Sequence, residues 1–344
     1  MVVYGAGHAG KTVARVVAAS GLPVVLAGRD LRRVKVVASN VGVPFAIAST
    51  TIPSELDGLL GDAMAVVNTA GPLAATAPSL IDAAIRNGTH YLDIANEPEV
   101  LAAAFRSDSL ARERGVSVVV GLGLGVAVSE AAAVEALSLL PESQRLEVVF
   151  APRGLGSPTV GVVRTMLQTL AHGPYAVADG RLVRHNPGWG VRPGYLGRDA
   201  VPTSLIPVFT GDLLALSRSQ PVGDVIVYTP VRLPTMSTRV AVPAASALLR
   251  SQLVRQVAAR AVNAGRHGRI DTKAARPSFV TVTAINRGSA RAADATLVVP
   301  DTPELISRLV ARVIAMLSDG LSSPGVWTPC QALGPRALLN LVRG

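Results

Sequence analysis

The residues that could do chemistry in this chain begin within its first ten positions. A glycine-rich turn follows directly on the short apolar run Val2–Tyr4, and a helical pattern of apolar residues starts after Lys11. The turn has the spacing G-x-G-x-x-G and consists of Gly5, Ala6, Gly7, His8, Ala9 and Gly10. A strand, a glycine turn and a helix in this order are typical of dinucleotide binding, because N–H groups at the helix start receive the pyrophosphate. The sequence therefore predicts that this turn binds a dinucleotide, and an ordinary glycine turn is the alternative.

The end of the second predicted strand indicates which dinucleotide is bound. In NAD sites an acidic residue at this point hydrogen-bonds the ribose 2′-hydroxyl. Here the position holds Gly28, followed by Arg29, and a guanidinium suits the oxygens of a 2′-phosphate. We expect Asp30 to cap the next helix, while Arg32 and Arg33 add positive charge. The predicted cofactor is NADP(H), and the alternative is that Arg29 is only a solvated surface charge.

Two further groups of residues follow predicted strands four and five. Their position matters because ligands of doubly wound sheets bind beyond the carboxyl ends of the strands. The first group is Asn68, Thr69, Ala70 and Gly71, which precede Pro72, and the second is Asp93. We predict that both groups contact the cofactor, with the Asn68 amide on a ribose and Gly71 allowing close approach. Simple turn chemistry is the alternative for the first group.

A hydride-transferring enzyme also needs a group that stabilises or protonates the developing anion. The polar candidates in plausible places are Tyr91, Asp93, His172, Tyr195 and Asp212. Of these, Tyr195 in a glycine-flanked loop and Tyr91 are the predicted catalytic residues. Each candidate has a structural alternative. The tyrosines could be core residues with hydrogen-bonded hydroxyl groups, the histidine could be a solvated surface residue, and the aspartates could cap helices. The sequence contains no serine or cysteine nucleophile motif and no H-E-x-x-H helix, and we expect no metal.

The composition limits the classes of function. The 33 Lys and Arg against 23 Asp and Glu give a formal charge of +10, which favours anionic ligands or acidic protein partners. Nucleic acid is disfavoured because no basic patch is interleaved with aromatic residues. Cys330 is the single cysteine, so no intrachain disulfide is possible and a cytoplasmic location is expected. The longest apolar stretch, Val116–Val128, is too short to cross a bilayer, so we expect no transmembrane segment.

Alternating strand and helix patterns predict an α/β fold with an N-terminal doubly wound parallel sheet. We predict a six-stranded NADP-binding Rossmann domain at residues 1–121, followed by a mixed α/β substrate domain at 122–300. The glycine-rich run 121–125 is predicted to be the flexible crossing between them. Residues 301–344 are predicted to be a helical segment.

The second half has weaker patterns. A hairpin is predicted from the alternating runs Phe279–Asn286 and Ala292–Val299. Helices are predicted near 160–170 and from about Ala244 to Asn263, and the stretch His172–Val208 is predicted to be rich in loops.

Several motifs carry a resemblance to a known family. In the first half they are Asn68-Thr-Ala-Gly-Pro72 and Gly88-Thr-His-Tyr-Leu-Asp93. In the second half they are Ala178-Asp-Gly-Arg181, Thr210-Gly-Asp-Leu213 and Thr328-Pro-Cys-Gln-Ala-Leu-Gly-Pro335. These runs resemble saccharopine dehydrogenase-like oxidoreductases, most closely the branch with mycobacterial trans-acting enoyl reductases. The resemblance implies a Rossmann domain, a mixed second domain and a C-terminal segment, here 301–344, that returns to the Rossmann domain. It also implies reduction of polyketide or lipid-type acyl chains held by a carrier protein. His8 and the run Gly123–Val126 depart from the family pattern.

Two classes of function remain open at this point. The first is an NADP(H)-dependent reductase of an acyl or enoyl substrate, and the second is a non-catalytic NADP-binding sensor or scaffold. The basic region from Ala244 to Arg276 is predicted to dock an acidic acyl carrier protein through Arg266 and Arg269. Its alternatives are a core-packed helix with a solvated loop, or peripheral contact with a membrane.

The first strand is short for a central strand, since strands usually have about five or six residues. Only Val2, Val3 and Tyr4 precede the glycine turn. We therefore expect that the natural protein begins upstream of Met1, or that this strand is weakened.

Overall fold

The computed structural model describes residues 1–151, 173–196, 201–231, 233–249, 251, 254, 277–299 and 302–344, with only the backbone of 195, 196, 201, 202 and 302. The chain divides into two compact units, Met1–Ala131 with Asp301–Gly344, and Ala132–Pro300.

The secondary structure is described in chain order. The strands are β1 (Val2–Tyr4), β2 (Val25–Gly28), β3 (Phe45–Ile47), β4 (Ala65–Asn68), β5 (His90–Asp93), β6 (Ser117–Val119), β7 (Arg145–Ala151), β8 (Tyr175–Ala178), β9 (Arg181–Arg184), β10 (Arg192–Leu196), β11 (Val201–Pro207), β12 (Asp224–Val231), β13 (Ser278–Asn286), β14 (Arg291–Val299) and β15 (Gly325–Trp327). The helices are α1 (His8–Ala19), α2 (Leu31–Val41), α3 (Pro53–Leu60), α4 (Leu73–Arg86), α5 (Pro98–Arg106), α6 (Asp108–Glu113), α7 (Leu124–Leu139), α8 (Gly211–Ser219), α9 (Thr235–Leu249), α10 (Thr302–Ser318), α11 (Pro329–Leu333) and α12 (Pro335–Arg343).

The first unit is built on a parallel sheet of seven strands in the order β15-β6-β5-β4-β1-β2-β3. The prediction of a doubly wound α/β fold is therefore confirmed. Strands β1, β4 and β6 are buried along their whole length, as expected for a sheet that carries helices on both faces. Strand β15 pairs in parallel with β6 and extends the sheet beyond the six strands predicted from the sequence.

Local signals place the first elements. Asp30 accepts a hydrogen bond from the Arg33 backbone N–H at 3.0 Å, so the predicted cap of α2 is confirmed. Helix α1 buries Gly10, Val13, Ala14 and Val17 at helical spacing, and it packs against α10. This packing fixes the glycine turn at the carboxyl ends of β1 and β4.

The second unit contains a mixed sheet in the order β10-β11-β12-β7-β13-β14, with β8 pairing β12 and β9 pairing β8. Strands β13 and β14 form the predicted hairpin, with Asn286 opposite Arg291. The fold class predicted for this half is confirmed as well.

Several sequence predictions are corrected by the fold. The run 121–125 is not a flexible crossing, because α7 begins at Leu124 and Val126 to Val128 are buried. The stretch predicted as loops contains β8 to β11. Helix α9 begins at Thr235, earlier than predicted. Its predicted continuation to Asn263 lies outside the described residues except for 251 and 254, and the predicted helix near 160–170 lies outside them entirely. Within the part of the chain that the structure describes, no helix is long and apolar enough to cross a membrane.

Candidate dinucleotide site

The glycine turn between β1 and α1 is tightly packed at two of its three glycines. Gly5 has φ +124°, and a Cβ there would lie 2.6 Å from Thr69 Oγ1 and 2.7 Å from the Ala70 nitrogen. A Cβ at Gly10 would collide with the Gly5 carbonyl oxygen and would lie 2.7 Å from Thr69 Oγ1. The fold therefore requires glycine at both positions, because any side chain would separate α1 from β1 and β4.

Gly7 differs from the other two glycines. Its φ of −90° and ψ of −171° are open to any residue, and a Cβ there would meet no heavy atom within 4 Å. Internal packing and backbone strain therefore do not explain this glycine. Gly7 is also the N-cap of α1, where no side chain caps the helix and no acidic residue lies in the first turn. The open space and the uncapped N–H groups are the features that an anionic group needs at a helix start.

His8 is the first residue of α1 and is exposed, while Ala6 and Ala9 are partly exposed. The imidazole thus lies at the rim of the turn and does not take part in its packing. All six residues of the predicted run lie in one turn between β1 and α1.

The second predicted group lies beside the glycine turn. The Thr69 backbone N–H donates to the Tyr4 carbonyl oxygen at 2.8 Å, and Thr69 Oγ1 donates to the Gly5 carbonyl oxygen at 3.2 Å. Ala70 is partly exposed, Gly71 is exposed, and a Cβ at Gly71 would meet nothing within 4 Å. The turn therefore offers its backbone at 70–71 next to the glycine turn, with Thr69 as the link.

The Asn68 side chain is committed to the interior. It is fully buried, and its Nδ2 donates to Thr76 Oγ1 and to Tyr91 Oη, both at 3.1 Å. Its Oδ1 accepts from the Ala70 backbone N–H at 3.1 Å. The predicted contact of Asn68 with a ribose stays a prediction, and in the structure its amide holds the 68–72 turn from the inside. Thr76 was not singled out from the sequence, and no motif pointed to it.

Tyr91 and Asp93 continue this buried network along β5. Tyr91 Oη donates to Asp93 Oδ2 at 3.1 Å, and Asp93 Oδ1 accepts from the backbone N–H groups of Gly121 at 2.8 Å and Ala95 at 3.0 Å. Burial raises the pKa of Tyr91 well above its usual value, and the charge of Asp93 adds to this. Burial also raises the pKa of Asp93 to about 6, although the two backbone N–H groups oppose the shift.

Both Tyr91 and Asp93 have no exposed surface in the structure. The catalytic role of Tyr91 and the cofactor contact of Asp93 stay predictions. The hydrogen bonds that the structure shows tie the ends of β4, β5 and β6 together, which positions the turns that follow them.

Positive charge gathers at the end of β2. Gly28 is buried, and a Cβ there would lie 3.1 Å from Val34 Cγ2, which leaves little room for an acidic side chain. Arg29 is exposed. Burial raises the pKa of Tyr4, and the positive charge of Arg29 opposes that shift. Arg33 donates from Nε to the Ala6 carbonyl oxygen at 3.0 Å. This contact anchors a second guanidinium on the glycine turn.

The structure describes the remaining candidate residues only in part. The backbone of Tyr195 pairs with Pro202 between β10 and β11, while its side chain and His172 lie outside the described residues. Asp212 is fully buried in the first turn of α8, whose N-cap is Thr210. Among the described residues, no group of three or more His, Cys, Asp or Glu side chains is arranged to hold a metal ion.

Three comparisons agree with this architecture. Residues 1–119 match the saccharopine dehydrogenase NADP binding domain. Among curated proteins, a trans-acting enoyl reductase of Mycobacterium leprae is 34% identical over 105 residues, covering 28% of this chain and 25% of the relative. A saccharopine dehydrogenase-like oxidoreductase of Bos taurus is 32% identical over 140 residues, covering 35% of this chain and 33% of the relative. The matches thus span a quarter to a third of the length of these relatives.

A solved structure extends the likeness in fold to nearly the whole chain. The apo saccharopine dehydrogenase (L-Glu forming) of Saccharomyces cerevisiae superposes with a TM-score of 0.60 at 14% identity, covering 99% of this chain and 95% of that chain. The resemblance predicted from the sequence is confirmed by these matches. Residues 1–119, about a third of the chain, therefore match the NADP-binding domain of the saccharopine dehydrogenase family.

Proposed function

We propose that the chain is an NADP(H)-dependent oxidoreductase that reduces an acyl or enoyl substrate. The observation that carries the proposal is Gly7, a glycine that neither its backbone angles nor its neighbours require. The space above it lies at the uncapped start of α1, where a dinucleotide pyrophosphate is expected.

Each described group has a role in this proposal. The N–H groups at the start of α1 hold the pyrophosphate, and Arg29 and Arg33 hold the 2′-phosphate as guanidinium donors. The exposed backbone of Ala70 and Gly71 borders the cofactor on the β4 side. Bound NADPH supplies the hydride, while the protein supplies position and electrostatics. The buried network of Asn68, Tyr91 and Asp93 keeps these turns in register.

The substrate class is proposed from the relatives and from the charge. The Mycobacterium leprae relative is named as a trans-acting enoyl reductase, and we propose an acyl or enoyl thioester for this chain too. The net charge of +10 would attract an acidic acyl carrier protein. The predicted docking residues Arg266 and Arg269 lie outside the described residues.

Oxidation of NADPH, followed by its absorbance, tests the reaction. The chain is mixed with NADPH and an enoyl thioester, and the matched control is the saturated thioester of the same length. We expect NADPH loss with the enoyl compound only, together with the saturated product by mass spectrometry. Loss with neither compound, despite tight NADPH binding, would contradict the enoyl proposal.

A second candidate is a non-catalytic NADP-binding sensor or scaffold. One observation favours it: Tyr91, a predicted proton donor, is buried and bonded to Asp93. If this alternative holds, NADPH will bind without turnover on any enoyl or ketoacyl thioester. A Tyr195→Phe variant separates the two candidates further, because only a reductase has a turnover rate for that change to lower.

A further inference from the structure

Helix α9 in the second unit exposes an apolar stripe. Met236 and Val240 are both 73% exposed and Leu248 is 63% exposed, and with the exposed Ala244 they recur every four residues along one side. Residues four apart are neighbours on a helix surface, so these side chains form a continuous row.

The buried side of the same helix is no more apolar than the exposed side. It carries Thr238, Val242, Ser246 and Leu249. A helix at the surface of a soluble domain normally points its apolar stripe inward and its polar residues outward. In α9 part of that order is reversed, and contiguous exposed apolar surface is typical of an interaction site.

A tryptophan stands beside this helix. A Cβ at Gly188 would lie 3.0 Å from Pro243 Cγ and 3.3 Å from the Arg239 carbonyl oxygen, so the loop before β10 packs against α9. The next residue, Trp189, is 37% exposed and stacks on the His185 ring with centroids 3.5 Å apart. Pro243 and Arg239 are helical neighbours of Val240 and Met236, and Trp189 itself lines a small cavity with Val242 of the same helix.

Strand β9, which precedes the same loop, combines cationic and aliphatic side chains. All four residues of β9 are exposed, with Leu182 and Val183 between Arg181 and Arg184. Arg239 is exposed on α9 and donates from Nε to the Val191 carbonyl oxygen at 3.2 Å. Asp179, in the turn that leads into β9, is the acidic residue beside these cations, and it lies 3.9 Å from Arg287.

We propose that the surface formed by α9, Trp189 and β9 binds an anionic lipid bilayer face. An apolar helical stripe beside cations is the pattern of an interfacial helix, with its apolar side at the acyl boundary. Tryptophan is enriched at membrane–water interfaces, where its ring is apolar and its N–H reaches water. Arginine stems cover apolar surface while their guanidinium groups meet lipid phosphates.

Vesicle binding with tryptophan fluorescence tests this surface directly. The chain has two tryptophans, so Trp327→Phe leaves Trp189 as the single reporter. The full chain with this change is mixed with phosphatidylcholine vesicles, with or without phosphatidylglycerol, and brominated lipid serves as quencher. We expect Trp189 to be quenched by the anionic vesicles and the binding to weaken as salt is raised.

Two matched pairs of substitutions locate the binding. Met236→Ser with Val240→Ser removes the stripe, while Leu110→Ser with Leu321→Ser removes exposed leucines of the first unit. We expect at least tenfold weaker vesicle binding from the first pair and unchanged binding from the second. Far-ultraviolet circular dichroism should be the same for both pairs, since all four side chains are exposed.

Several results would overturn the proposal. They are absence of vesicle binding, equal binding to neutral and anionic vesicles, binding without quenching of Trp189, and equal effects of the two pairs. A stripe variant that weakens binding to an acidic acyl carrier protein, in a chain that binds no vesicles, would assign the surface to a protein partner instead.

Discussion

Substitution of two glycines of the same turn by alanine should give opposite phenotypes. Gly10→Ala places a methyl group against the Gly5 carbonyl oxygen and 2.7 Å from Thr69 Oγ1. Gly7→Ala places a methyl group in space that no protein atom occupies. The first change should therefore destabilise the fold, whereas the second should impair only the binding of NADPH.

The magnitudes follow from these contacts. Overpacking in a closed site costs about 1–3 kcal/mol, which lowers the Tm of a domain of this size by about 2 to 12 °C. At Gly7, alanine is a poorer N-cap than glycine by about 0.5–1 kcal/mol. Alanine also lowers the conformational entropy of the unfolded chain, which offsets about 0.4–1 kcal/mol of the lost capping energy. The stability of Gly7→Ala should thus lie within about 1 kcal/mol of the parent, while NADPH binding weakens at least tenfold, or about 1.4 kcal/mol.

Thermal unfolding without nucleotide and fluorescence titration with NADPH measure both effects. The control is Gly58→Ala in α3, an exposed helical glycine whose Cβ would meet nothing within 4 Å. Alanine should stabilise that helix by about 0.8–1 kcal/mol and leave NADPH affinity unchanged. The reasoning is refuted if Gly7→Ala binds NADPH as tightly as the parent, or if Gly10→Ala unfolds at the parent's Tm.

Other predictions concern the buried network and the cations. Burial raises the pKa of Asp93 from 3.8 to about 6. Between these two pH values the folded chain keeps a proton that the unfolded chain has lost, so the stability contributed by this group should fall as the pH rises from about 3.8 to about 6. Asp93→Asn should remove this decline in a comparison of unfolding midpoints against pH, and an unchanged slope would contradict it. Tyr91→Phe should cost about 1–3 kcal/mol, because it strips partners from Asn68 and Asp93, yet NADPH turnover should persist if Tyr91 is no proton donor. Arg33→Ala should weaken NADPH binding without lowering Tm, and a lower Tm with normal affinity would assign Arg33 to the fold alone.

The first unit could be predicted from the sequence because its signals are local. The G-x-G-x-x-G turn lies between a strand and a helix, and Asp30 caps α2 by accepting from the backbone N–H of Arg33, three residues further along the chain. Strand β15 was missed because it has three residues and begins with Gly325, so it carries too short a pattern. Its place at the sheet edge depends on pairing with β6, more than 200 residues away in the sequence.

The chemistry of the site was harder to predict than its location. The sequence places Asn68 and Asp93 at strand ends, but it cannot show that Thr76, Tyr91 and a backbone N–H of Gly121 occupy their polar atoms. Long-range hydrogen bonds of this kind leave no periodic signal. The same holds for Arg33, whose contact with the Ala6 carbonyl oxygen joins residues 27 positions apart.

The prediction of loops across 172–208 was wrong for a related reason. Prolines and glycines indicate turns locally, yet Pro193 and Gly194 lie within β10, where they pair with Ser204 and Thr203 of β11. Pairing across the sheet overrides local propensity at these positions.

The claim that this turn is an NADP site is tested most directly by the affinities of NADPH and NADH for the unmodified chain. Gly28 stands where an acidic residue would select NADH, and Arg29 and Arg33 supply guanidinium groups near that point. We expect NADPH to bind at least tenfold more tightly than NADH in a fluorescence titration, a difference of about 1.4 kcal/mol, and Arg29→Ala to remove most of it. Equal affinities for the two nucleotides in the unmodified chain would contradict the account.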